Sequence, residues 1–131
     1  MVKGAGTPPR TKCRVLLVED DESTLSMFAE ALRMEGFYVR TAQDGLAALR
    51  ILEAYDPDVV ILDLKLPIAS GFDVLLELRT SGVQMPVIAV SGHERGLEQA
   101  RGNADFFAAL RKPCDPNDLI TVTKRAFLQA H

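Results

Sequence analysis

Three unbroken runs of apolar residues constrain the fold of this chain more than any other feature. They are Val15–Val18, Val59–Leu62 and Val87–Val90, and each is too short to be a helix. A strand that is apolar at every position needs cover on both faces, which is typical of parallel sheets flanked by helices. The weakly alternating segment Tyr38–Ala42 and the last part of Phe106–Leu110 predict two more strands, with Tyr38–Ala42 nearer the sheet edge.

Segments with helical spacing separate these runs. The first has Leu25, Phe28, Ala29 and Leu32 on one face and ends before Gly36. The predicted helices cover Thr24–Met34, Leu46–Ala54, Phe72–Leu78, a short segment within Gly92–Gly102, and Asp115 to Ala130, where Asp115 is the expected cap. Alternation of five strands with five helices predicts an α/β fold with a doubly wound, five-stranded parallel sheet and right-handed crossovers.

Length and charge narrow the function classes. The chain has 131 residues, of which 47% are hydrophobic and 25% charged, and this fits one globular domain. With 15 basic and 18 acidic residues the net charge is −3, which is too balanced to indicate a nucleic-acid or membrane surface. No window approaches the roughly 20 apolar residues of a membrane span.

The cysteines and the N-terminus indicate a compartment. Cys13 and Cys114 have no disulfide-framework spacing, so we interpret them as free thiols in a reducing environment. The first residues contain no apolar stretch typical of a signal peptide. We therefore expect a cytoplasmic protein with a flexible tail over residues 1–12 and one domain over residues 13–131.

Polar side chains stand where the predicted strands end. The first strand is followed by the acids Glu19 to Asp21, the third ends in Asp63, the fourth in Ser91 and the fifth in Lys112. Ligands of open α/β sheets bind outside the carboxyl ends of the strands, so these groups should converge on one cleft. Within the acidic triplet, Asp21 is better explained as a solvated or helix-start residue than as a ligand.

The converging groups suit phosphoryl chemistry with a metal ion. Clustered carboxylates ionise together only when a cation joins them, and an all-oxygen set with room for water suits Mg²⁺. A carboxylate such as Asp63, held beside the metal at a strand end, can attack phosphorus to form an aspartyl phosphate. Lys112 would then act as a point charge on the phosphoryl oxygens, and Ser91 would donate a hydrogen bond to one of them.

Four motifs in this order resemble the receiver domain of bacterial two-component response regulators. They are VLLVEDDE at the first strand, VVILDLKLPIASGFDVLLELR around Asp63, VIAVSG at the fourth strand and RKP at the fifth. The resemblance covers roughly residues 14–130. It implies the flavodoxin-like receiver fold with strand order 2-1-3-4-5.

The resemblance also implies a role for each matching position. Asp63 corresponds to the phosphoacceptor, and the metal would be held by Asp20 directly, by Glu19 often through water, by Asp63 and by the backbone carbonyl of Lys65. Ser91 corresponds to the hydroxyl that shifts toward the phosphoryl group, and Lys112 to the lysine of the site, with a cis bond to Pro113. His93, two residues after Ser91, either modulates access to the phosphoryl group or is an exposed loop histidine.

Three positions depart from the family pattern. The aromatic switch residue usually found three positions before the lysine is Ala109, and Phe106 and Phe107 lie closer to the preceding helix. The segment Asn103–Asp105 stands two residues too early in the loop before the fifth strand, so the fourth helix and its loop are expected to be irregular. Cys114 replaces a bulky apolar residue and is expected to be a small buried thiol.

The resemblance implies a signalling module rather than an enzyme, one that at most catalyses its own phosphorylation and dephosphorylation. The phosphoryl group would come from a histidine kinase or a histidine phosphotransfer protein, and a downstream effector domain or protein would respond. We expect no nucleic-acid binding by this chain and no membrane association.

Three rival functions stay open at this point. A haloacid-dehalogenase-like phosphatase also uses a strand-end aspartate, but its acid/base aspartate two residues on is here Lys65. A flavodoxin-like FMN binder shares the topology, yet the acids after the first strand would repel the cofactor's phosphate. A receiver that docks a partner without switching is suggested by Ala109.

Overall fold

Five strands alternate with five helices over residues 12–130, the part of the chain described by a computed structural model. The strands are β1 Arg14–Val18, β2 Tyr38–Ala42, β3 Val59–Asp63, β4 Val87–Ser91 and β5 Ala108–Arg111. The helices are α1 Glu22–Met34, α2 Gly45–Ala54, α3 Gly71–Thr80, α4 Glu94–Arg101 and α5 Pro116–Ala130. Every predicted element is present in the predicted order.

All neighbouring strands of the sheet are parallel, and their order is β2-β1-β3-β4-β5. The predicted doubly wound sheet is therefore confirmed, with β2 at one edge. The strand order reverses between β1 and β3, where Leu16 pairs with Val60. Crossovers run in opposite directions from this point, which leaves a crevice at the carboxyl ends of β1 and β3.

The core has two halves, one on each face of the sheet. In β3, Val59 and Ile61 pack in the half formed with α1 and α5, while Val60 and Leu62 pack in the half formed with α2, α3 and α4. All four are at most 1% exposed. Each buried side chain of this kind contributes roughly 1.5–3 kcal/mol to folding. Cover on both faces explains why the strand sequences are apolar at every position.

Capping side chains set the helix starts. α1 begins at Glu22, two residues earlier than predicted, because Oδ2 of Asp21 accepts a hydrogen bond from the backbone N–H of Thr24 at 2.9 Å. Asp115 acts as expected at α5, since its Oδ1 accepts from the N–H of Asn117 at 2.9 Å. Asp21, which the sequence analysis interpreted as a solvated or helix-start residue, is thus the N-cap of α1 in the structure.

The helix before β5 is short, and a local hydrogen bond holds the loop between the two. α4 has eight residues, and in the loop that follows, Oδ1 of Asn103 accepts from the N–H of Asp105 at 2.8 Å. Cys13 is buried, as expected for a packing residue. Cys114 was expected to be buried but is half-buried, and its Sγ lies 3.5 Å from the carbonyl oxygen of Asp115.

None of the helices within residues 12–130 has both the length and the apolar character needed to cross a membrane. The predicted tail over residues 1–12 lies outside the described residues except for Lys12.

Candidate functional site

The carboxyl ends of four strands meet at one edge of the sheet. Backbone hydrogen bonds fix their relative positions: the N–H of Leu64 donates to the carbonyl of Val90 at 3.1 Å, and the N–H of Lys112 donates to that of Ser91 at 2.9 Å. The N–H of Glu19 donates to the carbonyl of Ala42, which ties the end of β1 to β2. The rigid sheet therefore brings the predicted polar residues to one place.

Lys112 joins two buried carboxylates at this edge. Its Nζ lies 2.9 Å from Oδ2 of Asp63 and 2.7 Å from Oε1 of Glu19. The carboxylate side chains are 5% and 3% exposed, whereas that of the lysine is 25% exposed. Charge-assisted bonds of this length compensate part of the cost of burying the acids.

Asp63 has a second partner in the loop that follows β3. Its Oδ1 accepts a hydrogen bond from the backbone N–H of Lys65 at 3.0 Å. Both carboxylate oxygens are thus bonded, which explains how an aspartate is accommodated at the end of a core strand. The N–H of Lys65 makes this contact, and metal ligation by its carbonyl oxygen stays a prediction.

Three carboxylates of the site lie close enough together to share a cation. Glu19, Asp20 and Asp63 each offer an oxygen, and these oxygens lie within 4.8 Å of one another. Asp20 is exposed to solvent, while the other two are buried. An all-oxygen donor set with one open side fits Mg²⁺, which keeps several of its waters when it binds protein.

Burial and hydrogen bonds shift the pKa values of the central pair. Burial raises the pKa of Glu19 above 4.5, while its bonds from Lys112 and from the N–H of Asp21 act in the opposite direction. For Lys112, burial alone would lower the pKa, but hydrogen bonds to Glu19 and Asp63 outweigh it and raise the pKa above 10.5. The lysine therefore carries its charge throughout the neutral range.

Asp21 is not one of the three acids that could share a cation, and its carboxylate has a structural partner. Its carboxylate accepts from the hydroxyl of Thr24 at 2.7 Å and from the backbone N–H of the same residue. These two hydrogen bonds lower the pKa of Asp21 below 3.8. Because Oδ2 of Asp21 accepts both hydrogen bonds, the residue is better interpreted as a helix cap than as a metal ligand.

Ser91 ends β4 and is 2% exposed. Its Oγ accepts a hydrogen bond from the backbone N–H of His93 at 3.0 Å. The hydroxyl lies on the wall of a cleft of about 350 Å³ between the β3–α3 loop and the start of α4. This cleft is also lined by Leu64, Lys65, Leu66, Ser70, His93 and Gly96. Space is therefore available beside the serine, next to the loop that follows β3.

Gly71, at the start of α3, was not singled out from the sequence but is part of the site. A Cβ on Gly71 would lie 2.6 Å from the carbonyl oxygen of Asp63 and 2.8 Å from Cα of Leu64. The N–H of Gly71 also donates to the carbonyl of Leu64 at 3.0 Å. The start of α3 thus packs against the backbone of the β3–α3 loop, called the acceptor loop below. In the sequence, the only signal of this contact was the helix start at Ser70–Gly71.

The structure contains no aromatic ring on β5 near Ser91 within the described residues. Ala109 is half-buried, and Phe106 and Phe107 precede β5, whose other end pairs Arg111 with Ser91. Phe106 instead makes an edge-to-face contact with Phe72 of α3, with ring centroids 5.6 Å apart. Phe106 and Phe107 therefore lie at the opposite end of the sheet.

An exposed ion pair links the start of α4 to β5. The guanidinium of Arg111 contacts the carboxylate of Glu94. Arg111 immediately precedes Lys112, and the Lys112–Pro113 bond is cis, as the resemblance implied. The first turn of α4 is thus connected to the end of β5, which the lysine of the site follows directly.

Comparison with known proteins gives one family. The family model described as "Response regulator receiver domain" matches residues 15–124. A curated relative, the cell cycle transcriptional regulator CtrA of Caulobacter vibrioides, is 36% identical over 110 residues, which cover 82% of this chain and 47% of that protein. The cell cycle response regulator CtrA of Brucella abortus matches with the same identity and coverage. The chain therefore spans about half the length of these relatives.

Solved structures of receiver domains have the same fold as this chain. The receiver domain of a response regulator from Clostridium thermocellum is 30% identical with a TM-score of 0.80, over 89% of this chain and 95% of that one. The signal receiver domain of a putative LuxO repressor protein from Vibrio parahaemolyticus is also 30% identical, with a TM-score of 0.78, over 90% of this chain and 95% of that one.

Proposed function

We propose that this chain, which belongs to the response regulator receiver domain family, is a phosphorylation-dependent signalling module with Asp63 as its phosphoacceptor. One observation carries the assignment. Asp63 is a buried carboxylate at a strand end, bonded by Lys112 on one oxygen and by the N–H of Lys65 on the other. It lies beside two further acids that can share a cation with it.

The transfer takes place at a carboxylate oxygen of Asp63. That oxygen attacks the phosphorus of a phosphohistidine, the P–N bond breaks, and the imidazole nitrogen leaves with the electron pair and takes a proton from solvent. Lys112, already 2.9 Å from Oδ2, neutralises part of the negative charge that arrives with the phosphoryl group. The proposed donor is a histidine kinase or a histidine phosphotransfer protein.

The residues present fit Mg²⁺. Asp20, Glu19 and Asp63 would hold it, with the carbonyl of Lys65 as a further ligand. When bound, the ion would offset the mutual repulsion of the carboxylates and of the incoming phosphoryl oxygens. Ser91, with a cleft beside it, is the hydroxyl proposed to move toward the phosphoryl group.

The wider setting is proposed from family membership and the sequence. A downstream effector domain or protein reads the phosphorylated state, since the CtrA relatives are about twice as long as the matched region. The chain itself is proposed to bind no nucleic acid and to catalyse at most its own phosphorylation and dephosphorylation. A cytoplasmic location and the boundary between residues 1–12 and the domain of residues 13–131 stay predictions from the sequence.

Phosphorylation by a small phosphodonor tests the assignment. With acetyl phosphate and Mg²⁺, intact mass measurement is expected to show one added phosphoryl group, and chelation of the metal abolishes the addition. Asp63→Asn is expected to take up none, while the matched control Asp118→Asn, at an exposed position of α5, behaves like the wild type. Uptake by Asp63→Asn would remove the assignment. The phosphatase and FMN-binding alternatives are not favoured by the family match.

A further inference from the structure

A second cleft, of about 600 Å³, surrounds the free edge of β2 at the amino ends of the strands, opposite the acidic site. Its walls include Arg14, Arg33, Tyr38, Arg40 and Tyr55, and we call these five residues the basic cleft. The remaining lining is apolar. We propose that the basic cleft binds a nucleotide, with the base against the tyrosine rings and the phosphates on the arginines.

The cations and rings of the basic cleft are held in place before any ligand arrives. The guanidinium carbons of Arg14 and Arg40 lie 6.0 and 5.5 Å from the ring centroid of Tyr55. The hydroxyl of Tyr55 donates to the backbone carbonyl of Tyr38 at 3.1 Å, and Nζ of Lys12 lies 5.1 Å from the Tyr38 ring. An ordered site loses less conformational entropy when it binds.

Three of the residues that line this cleft are cationic and none is acidic, although the whole chain carries −3. An acid beside the lining, Asp58, is buried, and its Oδ2 accepts a hydrogen bond from the backbone N–H of Arg14 at 2.9 Å. The carboxyl end of α2 adds about half a negative charge. Against these stand the three arginines of the basic cleft and Lys12. Within the described residues, no salt bridge involves the guanidinium of Arg14 or Arg40, so an anion is the complementary ligand.

Several features favour a small phosphorylated ring compound over an acidic peptide. An extended peptide would add to the edge of β2, but Nη2 of Arg33 already donates to the carbonyl of Val39 in that strand at 2.9 Å. The planar donors of arginine match phosphate oxygens, and a tyrosine face stacks on an aromatic base. The cleft volume lies within the range of small-molecule sites.

The tyrosine rings of this cleft can serve as spectroscopic reporters of binding. It has two tyrosines and no tryptophan, and both tyrosines belong to the basic cleft. With ¹³C-labelled tyrosine, NMR ring signals therefore report on this region alone. ATP or GTP is titrated into the whole chain with EDTA present, so that metal-dependent binding at the acidic site does not contribute. Both ring signals are expected to shift and to saturate.

Variants and ligand fragments make the test specific. Arg40→Gln and Arg14→Gln are each expected to weaken nucleotide binding by about tenfold or more, as loss of a charged hydrogen bond would. Arg125→Gln removes an exposed arginine on α5 and serves as the charge-matched control. Far-ultraviolet circular dichroism verifies that each variant is folded. Adenosine alone and tripolyphosphate alone are expected to bind more weakly than ATP by a similar factor.

Several results would overturn the proposal. These are the absence of saturable shifts, equal affinity for tripolyphosphate and ATP, equal loss of binding in the Arg125→Gln control, or tighter binding of a single-stranded oligonucleotide than of the free nucleotide. Phosphorylation at Asp63 is measured separately by mass. Failure of either proposal is therefore distinguishable from failure of the other.

Discussion

Nζ of Lys112 lies 2.7 Å from Oε1 of Glu19, a carboxylate side chain that is only 3% exposed. The same ammonium lies 2.9 Å from Asp63, so one cation compensates two buried acids. In a site of low polarity, the loss of such a cation leaves both carboxylates poorly solvated and repelling each other. The lysine thus supports the folded state of the acceptor site as well as the phosphoryl transfer proposed for it.

Lys112→Met tests this dependence. The substitution keeps an unbranched side chain but removes the charge, and it is expected to lower the free energy of unfolding by about 3–5 kcal/mol at neutral pH. Mg²⁺ is expected to restore part of the loss, because a ligand that binds only the folded state stabilises it. Urea unfolding with EDTA and with Mg²⁺ measures both effects.

Lys124→Met is the matched control for that measurement. Lys124 also contacts a carboxylate, that of Glu35, but the two side chains are 49% and 41% exposed. Exposed pairs contribute less than about 1 kcal/mol. An equal loss in the two variants would contradict a special role for the buried lysine.

The fold was predictable from the sequence because its signals are local. Unbroken apolar runs identify strands such as β3, and the strand-end rule places Asp63, Ser91 and Lys112 at one edge. The bond between Lys112 and Glu19 was not predicted, since it depends on side-chain conformations of segments far apart in the chain. The close approach of Gly71 to β3 depends on tertiary geometry in the same way.

Gly71→Ala is expected to destabilise the protein and to slow phosphorylation. The added Cβ would lie 2.6 Å from the carbonyl oxygen of Asp63, so the backbone of the acceptor loop must shift. Such overpacking costs about 1–3 kcal/mol. Urea unfolding and the rate of phosphoryl uptake from acetyl phosphate measure the two effects.

Gly96→Ala in α4 provides the contrast. Its Cβ would meet Oγ of Ser91 at 3.4 Å and Cδ1 of Leu64 at 3.5 Å, which are contacts without a severe clash. Alanine is the better helix former, so stability is expected to rise by up to about 1 kcal/mol. If the Gly71→Ala variant has the same free energy of unfolding as Gly96→Ala, the backbone of the acceptor loop can shift without an energetic cost, which would contradict the prediction.

Asp20 is expected to matter for metal binding and not for folding. It is the exposed member of the three acids, and surface substitutions usually change stability by less than about 0.5 kcal/mol. Asp20→Asn removes a charged ligand and is expected to weaken Mg²⁺ binding by about tenfold or more, as measured by isothermal titration calorimetry. Glu22→Gln, an exposed change at the start of α1, is expected to leave the affinity intact.

The pH dependence of stability should contain a signature of Glu19. Burial raises the pKa of Glu19 above 4.5 despite its hydrogen bonds from Lys112 and the N–H of Asp21. An acid with a higher pKa in the folded than in the unfolded state stabilises the fold when protonated. This contribution is complete below pH 4.5 and is lost as the pH rises through the raised pKa.

Glu19→Gln removes that titration. With EDTA present, the free energy of unfolding of the wild type is expected to fall relative to that of Glu19→Gln as the pH rises from 4.5 toward neutrality. Urea unfolding across this range measures the difference. Glu30→Gln, on the exposed side of α1, controls for a general change in charge. A wild-type-to-Glu19→Gln difference that stays constant with pH would contradict the assigned direction.

Activation is expected to move the first turn of α4, because no aromatic ring on β5 is available to move instead. Ser91 borders a cleft that also reaches Gly96, and the exposed Glu94–Arg111 pair joins this turn to β5. Beryllofluoride with Mg²⁺, which mimics the phosphoryl group on Asp63, should therefore shift backbone amide NMR signals across residues 91–98 and at Arg111. Asp63→Asn should show none of these shifts. Shifts restricted to the residues that contact Asp63, with α4 unchanged, would favour the alternative of a receiver that docks its partner without switching.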